Sequence, residues 1–190
     1  MRMHLSTDPV MLVLAAFAAA VLLTYGFAMV RFFRAEPQPS LATRVLSVTA
    51  PIAALVQIGA MVTGAAPAIG SILTSIGLYC TSLAVFAAAI GALGKRRLTI
   101  AFAADRPTSL VENGIFSRIR HPFYTSYILV WLAGAVASPT LPVIIVTALM
   151  AGQYLLAARA EGRKFAASDL AEDYRIYCRR AGMFWPGTGE

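Results

Sequence analysis

Five long apolar runs divide the chain, and short polar segments separate them. They cover residues 10–30, 45–62, 68–93, 122–137 and 141–158. An α-helix rises 1.5 Å per residue, so about 20 apolar residues cross the hydrocarbon core of a bilayer. The first run is N-terminal and rich in alanine, but it is too long for the apolar part of a signal peptide, so we expect it to be retained. The pattern predicts an all-α, polytopic membrane bundle of five transmembrane helices.

The segments within and between the runs predict how the helices pack. Three residues, 138–140, separate the last two runs, and so short a connection predicts an antiparallel helical hairpin. Small residues such as Gly70, Ser75, Gly77 and Ser82 predict that the third run is interior to the bundle, because they allow close approach of helices. Gln57, deep in the second run, is expected to form an interhelical hydrogen bond.

The composition excludes a soluble or disordered chain. Hydrophobic residues make up 58% and charged residues 13%, against about 25% charged residues in ordinary globular domains. A disordered chain has the opposite balance. The two cysteines have no metal-ligand spacing, so no metal site is predicted. Cys178 is expected to be a small packed residue, since no histidine or aspartate base accompanies it in the sequence.

The distribution of charge predicts an orientation in the membrane. The net charge is +7, and every one of the 16 basic residues except Arg2 follows the first, third or fifth run. If all five runs cross, these residues lie on one side, which the positive-inside rule makes cytoplasmic. The sequence therefore predicts an outside N-terminus, a cytoplasmic C-terminal helix and no nucleic-acid partner. The compact, alanine-rich chain suggests a bacterial inner membrane.

Candidate chemistry concentrates on this predicted cytoplasmic side, in residues 94–121 and 159–190. Pro122 suits the first position of a helix, which makes His121 its N-cap. A helix N-terminus favours an anion, so Arg120, His121 and Tyr124 could hold a ligand carboxylate or phosphate beside an aromatic ring. The same residues could instead anchor the chain among lipid headgroups. The residues alone leave both interpretations open.

The segment after the last run offers a second group of candidates. Glu161 is the first acidic residue there, and it could accept a ligand ammonium or pair with the surrounding basic side chains in an exposed network. Tyr174 and Tyr177 are three residues apart and share one face of a predicted C-terminal helix. Such a pair serves packing or interface anchoring as readily as ligand contact.

Two blocks of these residues resemble the signature of isoprenylcysteine carboxyl methyltransferases and the related phospholipid methyltransferases. The resemblance covers about residues 90–180. Its positions are Gly94-Lys95, then Leu110-Val111 with Gly114 and Phe116, then Arg120-His121-Pro122-Phe123-Tyr124, and finally Glu161, Tyr174 and Tyr177. The chain departs from the family pattern where a second glutamate is replaced by Gly162 and an arginine by Ala157.

The resemblance implies S-adenosylmethionine as cofactor, bound on the cytoplasmic side, and a lipid or prenylated acceptor that enters from the bilayer. It divides the chain into a three-span region, 1–93, and a cofactor-binding region, 94–190, within one structural domain. It assigns the cofactor to Leu110, Val111, Phe116, Arg120, His121, Tyr124 and Glu161, the last of which receives its ammonium. Arg159 is the candidate contact for a substrate anion, and no other catalytic residue is assigned.

The resemblance favours an isoprenylcysteine-type carboxylate as acceptor, which needs no general base. A phospholipid amine, an isoprenoid acid and a small thiol stay open, although the sequence shows no obvious base for an amine.

Two other functions compete with methyl transfer. The region is also similar to NADPH-dependent membrane reductases of the steroid-reductase-like type, but Ile119, Phe123 and Tyr127 stand where those enzymes have Ser, Asn and Glu. The third alternative is a non-catalytic membrane protein whose cytoplasmic face binds a partner.

Overall fold

A computed structural model describes residues 8–34, 40–94, 98–99 and 109–187 of the chain. This part of the chain is mainly helical, with two short strands. The α-helices are α1 (Pro9–Phe32), α2 (Leu41–Thr63), α3 (Ile69–Leu93), α4 (Pro122–Ala137), α5 (Leu141–Ala166) and α6 (Ala171–Arg180), with a 3₁₀ turn at Gly114–Ser117. The strands are β1 (Phe33–Arg34) and β2 (Leu98–Thr99), which pair in parallel. Several residues of the sequence predictions lie outside the described residues: Arg2, Lys95, Arg96, Arg97 and Arg106.

Four of the helices are long and apolar enough to cross a membrane. These are α1, α2, α3 and α5, judged by length and composition. The prediction of a helical bundle with membrane-spanning segments is confirmed to this extent. The fifth predicted span, α4, has 16 residues, and its length of about 24 Å is shorter than a hydrocarbon core of about 30 Å.

Helix α4 occupies the interior of the bundle. It packs against α1, α2, α3 and α5, and most of its side chains are buried. An apolar helix without a polar face is buried all round, and α4 carries no charged residue. The prediction that the third run is interior holds for one face of α3 only. Ser75 and Ser82 are buried and donate to carbonyls of α4, but Gly70 and Gly77 lie on an exposed face.

Helices α4 and α5 form the predicted antiparallel hairpin, and Gln57 ties it to α2. The Gln57 side-chain amide donates to the Trp131 carbonyl of α4 at 2.8 Å and to the Thr147 hydroxyl of α5 at 3.2 Å. Gln57 is almost completely buried. The expected interhelical hydrogen bond is therefore confirmed, and it joins three helices rather than two.

The ends of α1, α3 and α5 meet the start of α4 at one end of the bundle, which we call the polar end. The β1–β2 pair joins the segments that follow α1 and α3, and the Asn113 side chain donates to the Ala92 carbonyl at 2.9 Å. The Tyr177 hydroxyl of α6 donates to the Phe116 carbonyl. Helix α5 continues to Ala166. It therefore extends beyond the end of its apolar run at residue 158 and includes basic residues in its last turn.

The residues after α6 return to the start of α4 as a short strap, residues 181–185, which we call the C-terminal strap. The backbone N–H of Arg120 donates to the Gly182 carbonyl at 2.8 Å, and that of His121 donates to the Met183 carbonyl at 3.1 Å. The Thr125 hydroxyl donates to the Phe184 carbonyl at 2.8 Å. The strap thus supplies acceptors to two backbone N–H groups before α4 and to the Thr125 hydroxyl, which also contacts the His121 carbonyl.

Gly182→Ala is expected to detach the C-terminal strap. A Cβ atom at residue 182 would lie 2.1 Å from the Trp185 carbonyl oxygen, and this backbone atom cannot rotate away. We expect trypsin to cut at Arg180 at least about tenfold faster, because local opening exposes that bond. Gly187→Ala is the control, since nothing lies within 4 Å of its Cβ position. An unchanged cleavage rate in the Gly182 variant would show that the strap adjusts without opening.

Candidate functional site

Helices α4 and α5 bring three of the predicted site residues together at the polar end. The Tyr124 hydroxyl donates to Glu161 Oε1 at 2.5 Å, and His121 Nδ1 lies 3.2 Å from Glu161 Oε2. We call these three residues the Glu161 cluster. His121 is the N-cap of α4 and Pro122 its first residue, as predicted. Residues 37 positions apart meet because the hairpin is antiparallel and α5 extends past the apolar run.

Aromatic rings form one side of the Glu161 cluster. The rings of His121 and Tyr124 are stacked, with centroids 5.4 Å apart and planes 9° apart. Tyr124 stacks in turn on Tyr154 of α5 at 5.8 Å, and the Phe184 ring of the C-terminal strap lies 6.1 Å from His121. Sequence reasoning missed Tyr154. The available signal was its position seven residues before Glu161, about two helical turns away on the same face.

Two polar atoms beside the cluster are buried without a hydrogen-bond partner among the described residues. They are His121 Nε2 and Arg120 Nε. Buried polar groups of folded proteins are nearly always paired, so an unpaired one calls for a functional or structural explanation. The site therefore offers a ligand the Arg120 Nε–H donor and the Nε2 ring nitrogen of His121, which can donate or accept.

A cleft of about 330 Å³ adjoins the cluster, and positive charge dominates its lining. It is formed by Arg120, Ala158, Arg159, Gly162, Arg163, Ala166, Tyr174 and Met183. Among the described residues, none of the three arginines forms an ion pair with a carboxylate. Burial raises the pKa of Tyr174 to about 12, with a further rise from Cys178 that Arg120 opposes. At neutral pH the cleft therefore offers guanidinium groups and a protonated phenol, all of which are donors to an anion.

Cys178 has a more specific role in this structure than simple packing. It is half-buried, and its Sγ atom accepts a hydrogen bond from Arg120 Nη1 at 2.8 Å. The cysteine thereby holds the Arg120 side chain against α6. Sequence reasoning missed this contact because the two residues are 58 positions apart.

Gly162 stands where the methyltransferase signature has a second glutamate. It lines the cleft, and a Cβ atom there would lie 3.2 Å from the Tyr174 hydroxyl. Tyr174 is fixed by stacking on Phe165, with centroids 4.6 Å apart and planes 9° apart. A glutamate at residue 162 would project into the space between α5 and α6, so glycine and Tyr174 fit one another here.

Two other predicted cofactor residues pack in a hydrophobic core that contains none of the Glu161 cluster residues. Phe116 is buried and packs with Val111 in the core formed largely by α1 and α3, and its ring lies 6.3 Å from that of Phe123. Leu110 is half-buried. Arg120 and Arg159 do line the adjoining cleft. The structure thus joins the charged and aromatic candidates into one site and packs Phe116 and Val111 elsewhere.

The site contains no recognisable metal centre: among the described residues, no group of three or more His, Cys, Asp or Glu side chains could hold a metal ion. No protein-family model matches the chain, and no curated protein matches it. The likeness to the methyltransferase signature therefore depends on the motif residues alone.

Proposed function

We propose that this protein is an integral membrane methyltransferase that uses S-adenosylmethionine and methylates a lipid-like acceptor. One observation carries the proposal: the motif residues Arg120, His121 and Tyr124 converge with Glu161 beside a cationic cleft. The four residues come from two separate blocks of the sequence signature. The antiparallel hairpin brings the two blocks together, and within it the motif side chains pair with one another.

The charges of the site suit the amino-acid end of the cofactor. A zwitterionic amino acid carries an ammonium and a carboxylate close together, and it needs a carboxylate and a cation side by side. Glu161 is 31% exposed, so its oxygens can accept an ammonium in addition to their bonds within the cluster. Arg159 and Arg163 are each two residues from Glu161 and lie on another face of α5. Arg120, the neighbour of His121, also lines the cleft, and it would bind the carboxylate.

Methyl transfer requires mainly that the acceptor and the methyl donor are correctly positioned. The bound cofactor supplies a methyl group on a sulfonium sulfur, and transfer is an in-line displacement that depends on alignment of the acceptor. The stacked rings of His121, Tyr124 and Tyr154 provide a rigid wall for this purpose. The C-terminal strap covers the N-terminus of α4 and limits the access of water.

The proposal includes five membrane crossings with the polar end in the cytoplasm and the N-terminus outside. Helix α4 would be the short central crossing: since the other helices surround it, its length need not match the hydrocarbon thickness. Described basic residues at the polar end support this orientation, among them Arg118, Arg159, Arg163, Lys164 and Arg179. We place the protein in a bacterial inner membrane, where an apolar acceptor enters from the bilayer.

Thermal unfolding of the detergent-purified protein tests the cofactor. We expect S-adenosylhomocysteine at 100 times its dissociation constant to stabilise the fold by about 2.7 kcal/mol, because it binds the folded state. NADPH, tested in parallel, should leave the melting temperature unchanged. Stabilisation by NADPH alone would favour the reductase alternative. Stabilisation by neither compound would favour the partner-binding alternative.

A further inference from the structure

His121 is a buried ionisable group of the site, and its two ring nitrogens differ in their surroundings. Its side chain is 8% exposed. Nδ1 faces Glu161 Oε2 at 3.2 Å, whereas Nε2 is buried without a partner among the described residues. The ring orientation is fixed by the stack on Tyr124 and by Phe184 of the C-terminal strap.

This environment selects one tautomer of the neutral imidazole. A lone pair on Nδ1 would face the Glu161 carboxylate and be repelled by it, so the proton resides on Nδ1. The lone pair is then on Nε2, which becomes a hydrogen-bond acceptor. A carboxylate behind the imidazole also stabilises the imidazolium that forms when Nε2 takes up a proton.

We propose that His121 is the general base of this enzyme and that the acceptor is a protic nucleophile, a thiol, hydroxyl or amine, rather than a carboxylate. The inference rests on the proposed methyl transfer and deepens it. A carboxylate acceptor is already ionised at neutral pH, so it needs no general base. The orphaned Nε2 of an oriented histidine is the feature that a proton-bearing acceptor requires.

The step balances without any further reactant. The acceptor atom gives its proton to His121 Nε2, and its lone pair attacks the methyl carbon. The bond from carbon to sulfur breaks, and sulfur keeps that electron pair as a neutral thioether. The imidazolium proton passes to solvent after product release. For an ammonium acceptor the proton transfer precedes the attack, and the methylated amine leaves protonated.

Charged and titratable groups of three elements surround His121. Glu161 of α5 faces Nδ1, and the Tyr124 hydroxyl is bonded to the same carboxylate. Arg120 precedes His121 in the chain and is held by Cys178 of α6. The aromatic stack adds Tyr154 of α5, and the adjoining cleft adds Arg159, Arg163 and Tyr174.

Nitrogen NMR of the histidines gives a readout that needs no acceptor. The chain has two histidines, so His4→Gln leaves His121 as the single one. In protein labelled with ¹⁵N-histidine we expect the neutral Nδ1–H tautomer with an unprotonated Nε2, and a loss of that preference in Glu161→Gln. A proton on Nε2 in the neutral ring would overturn the proposal.

Methyl transfer to four matched amphiphiles tests the acceptor class. The probes are dodecanethiol, dodecanol, dodecylamine and dodecanoate, which share one alkyl chain and differ in the head group. We expect S-adenosylmethionine-dependent methylation of at least one protic probe and none of dodecanoate. In His121→Gln the rate at saturating S-adenosylmethionine should fall by about 100-fold or more at neutral pH.

The control His4→Gln should retain the wild-type rate, and the deficit of His121→Gln should shrink as the pH rises, because hydroxide replaces the base. A deficit independent of pH, or one explained by lost affinity, would make His121 a binding residue and overturn the inference. So would methylation of dodecanoate alone, or of no probe by protein that binds S-adenosylhomocysteine. Failure of that compound to bind at all would instead remove the proposed function.

Discussion

Replacing Gly134 with alanine is expected to lower the free energy of unfolding by about 2–4 kcal/mol. A Cβ atom at residue 134 would lie 2.2 Å from Gln57 Oε1 and 2.4 Å from its Cδ, inside van der Waals contact. The Gln57 side chain can move aside only by giving up its bonds to Trp131 and Thr147. It has no solvent to move into, so the substitution leaves a buried amide unpaired. Thermal unfolding in detergent measures the loss.

Two variants separate this clash from a general effect of alanine in a helix. Gly59→Ala in α2 is the matched control, because nothing lies within 4 Å of its Cβ position, and we expect a change of at most about 1 kcal/mol. In a Gln57→Ala background, Gly134→Ala should lose most of its cost, since the colliding group is gone. Equal destabilisation in both backgrounds would show that the clash with Gln57 is not its origin.

Glu161→Gln is expected to weaken the binding of S-adenosylhomocysteine by about 1–3 kcal/mol, a factor of roughly 5 to 150. The amide keeps an oxygen for the Tyr124 hydroxyl, so the aromatic stack should survive. It loses the negative charge that faces His121 and that would receive the ligand ammonium. Calorimetric titration of the detergent-purified variant measures the change in affinity.

Glu172→Gln on α6 is the matched control for that titration. Glu172 is exposed and pairs with Arg175 one turn away, outside the cleft. The same loss of charge there should leave the affinity within about twofold, because exposed charges are screened. Equal affinities of wild type and Glu161→Gln would take Glu161 out of the cofactor site.

The apolar runs were sufficient to predict the helices and the α4–α5 hairpin, because length and hydropathy govern both. They could not predict which helix lies in the centre. Small residues indicated α3, but close approach needs a partner on that face, and Gly70 and Gly77 have none among the described residues. The uniformly apolar surface of α4 is a better indication of a central position than small residues are. Its length of only 16 residues gave no reason to single it out in the sequence.

The candidate site was likewise predicted only in part from the sequence. The motif residues His121, Tyr124 and Glu161 do meet, because the hairpin brings the two sequence blocks into register. The bond from Arg120 to Cys178 and the C-terminal strap over α4 depend on contacts between distant segments, which no local pattern encodes. The lone pair left on His121 Nε2 likewise follows from the position of Glu161, so a sequence alone gives no sign of a base.

The most direct measurement is transfer of a tritiated methyl group from S-adenosylmethionine into the lipid fraction by protein reconstituted in vesicles of its expression host's total lipids. Methyl transfer to a membrane acceptor predicts label in the organic phase that grows with the amount of protein, falls strongly in Glu161→Gln and persists in Glu172→Gln. An organic phase without label, or label that is the same for wild type and Glu161→Gln, would contradict the account.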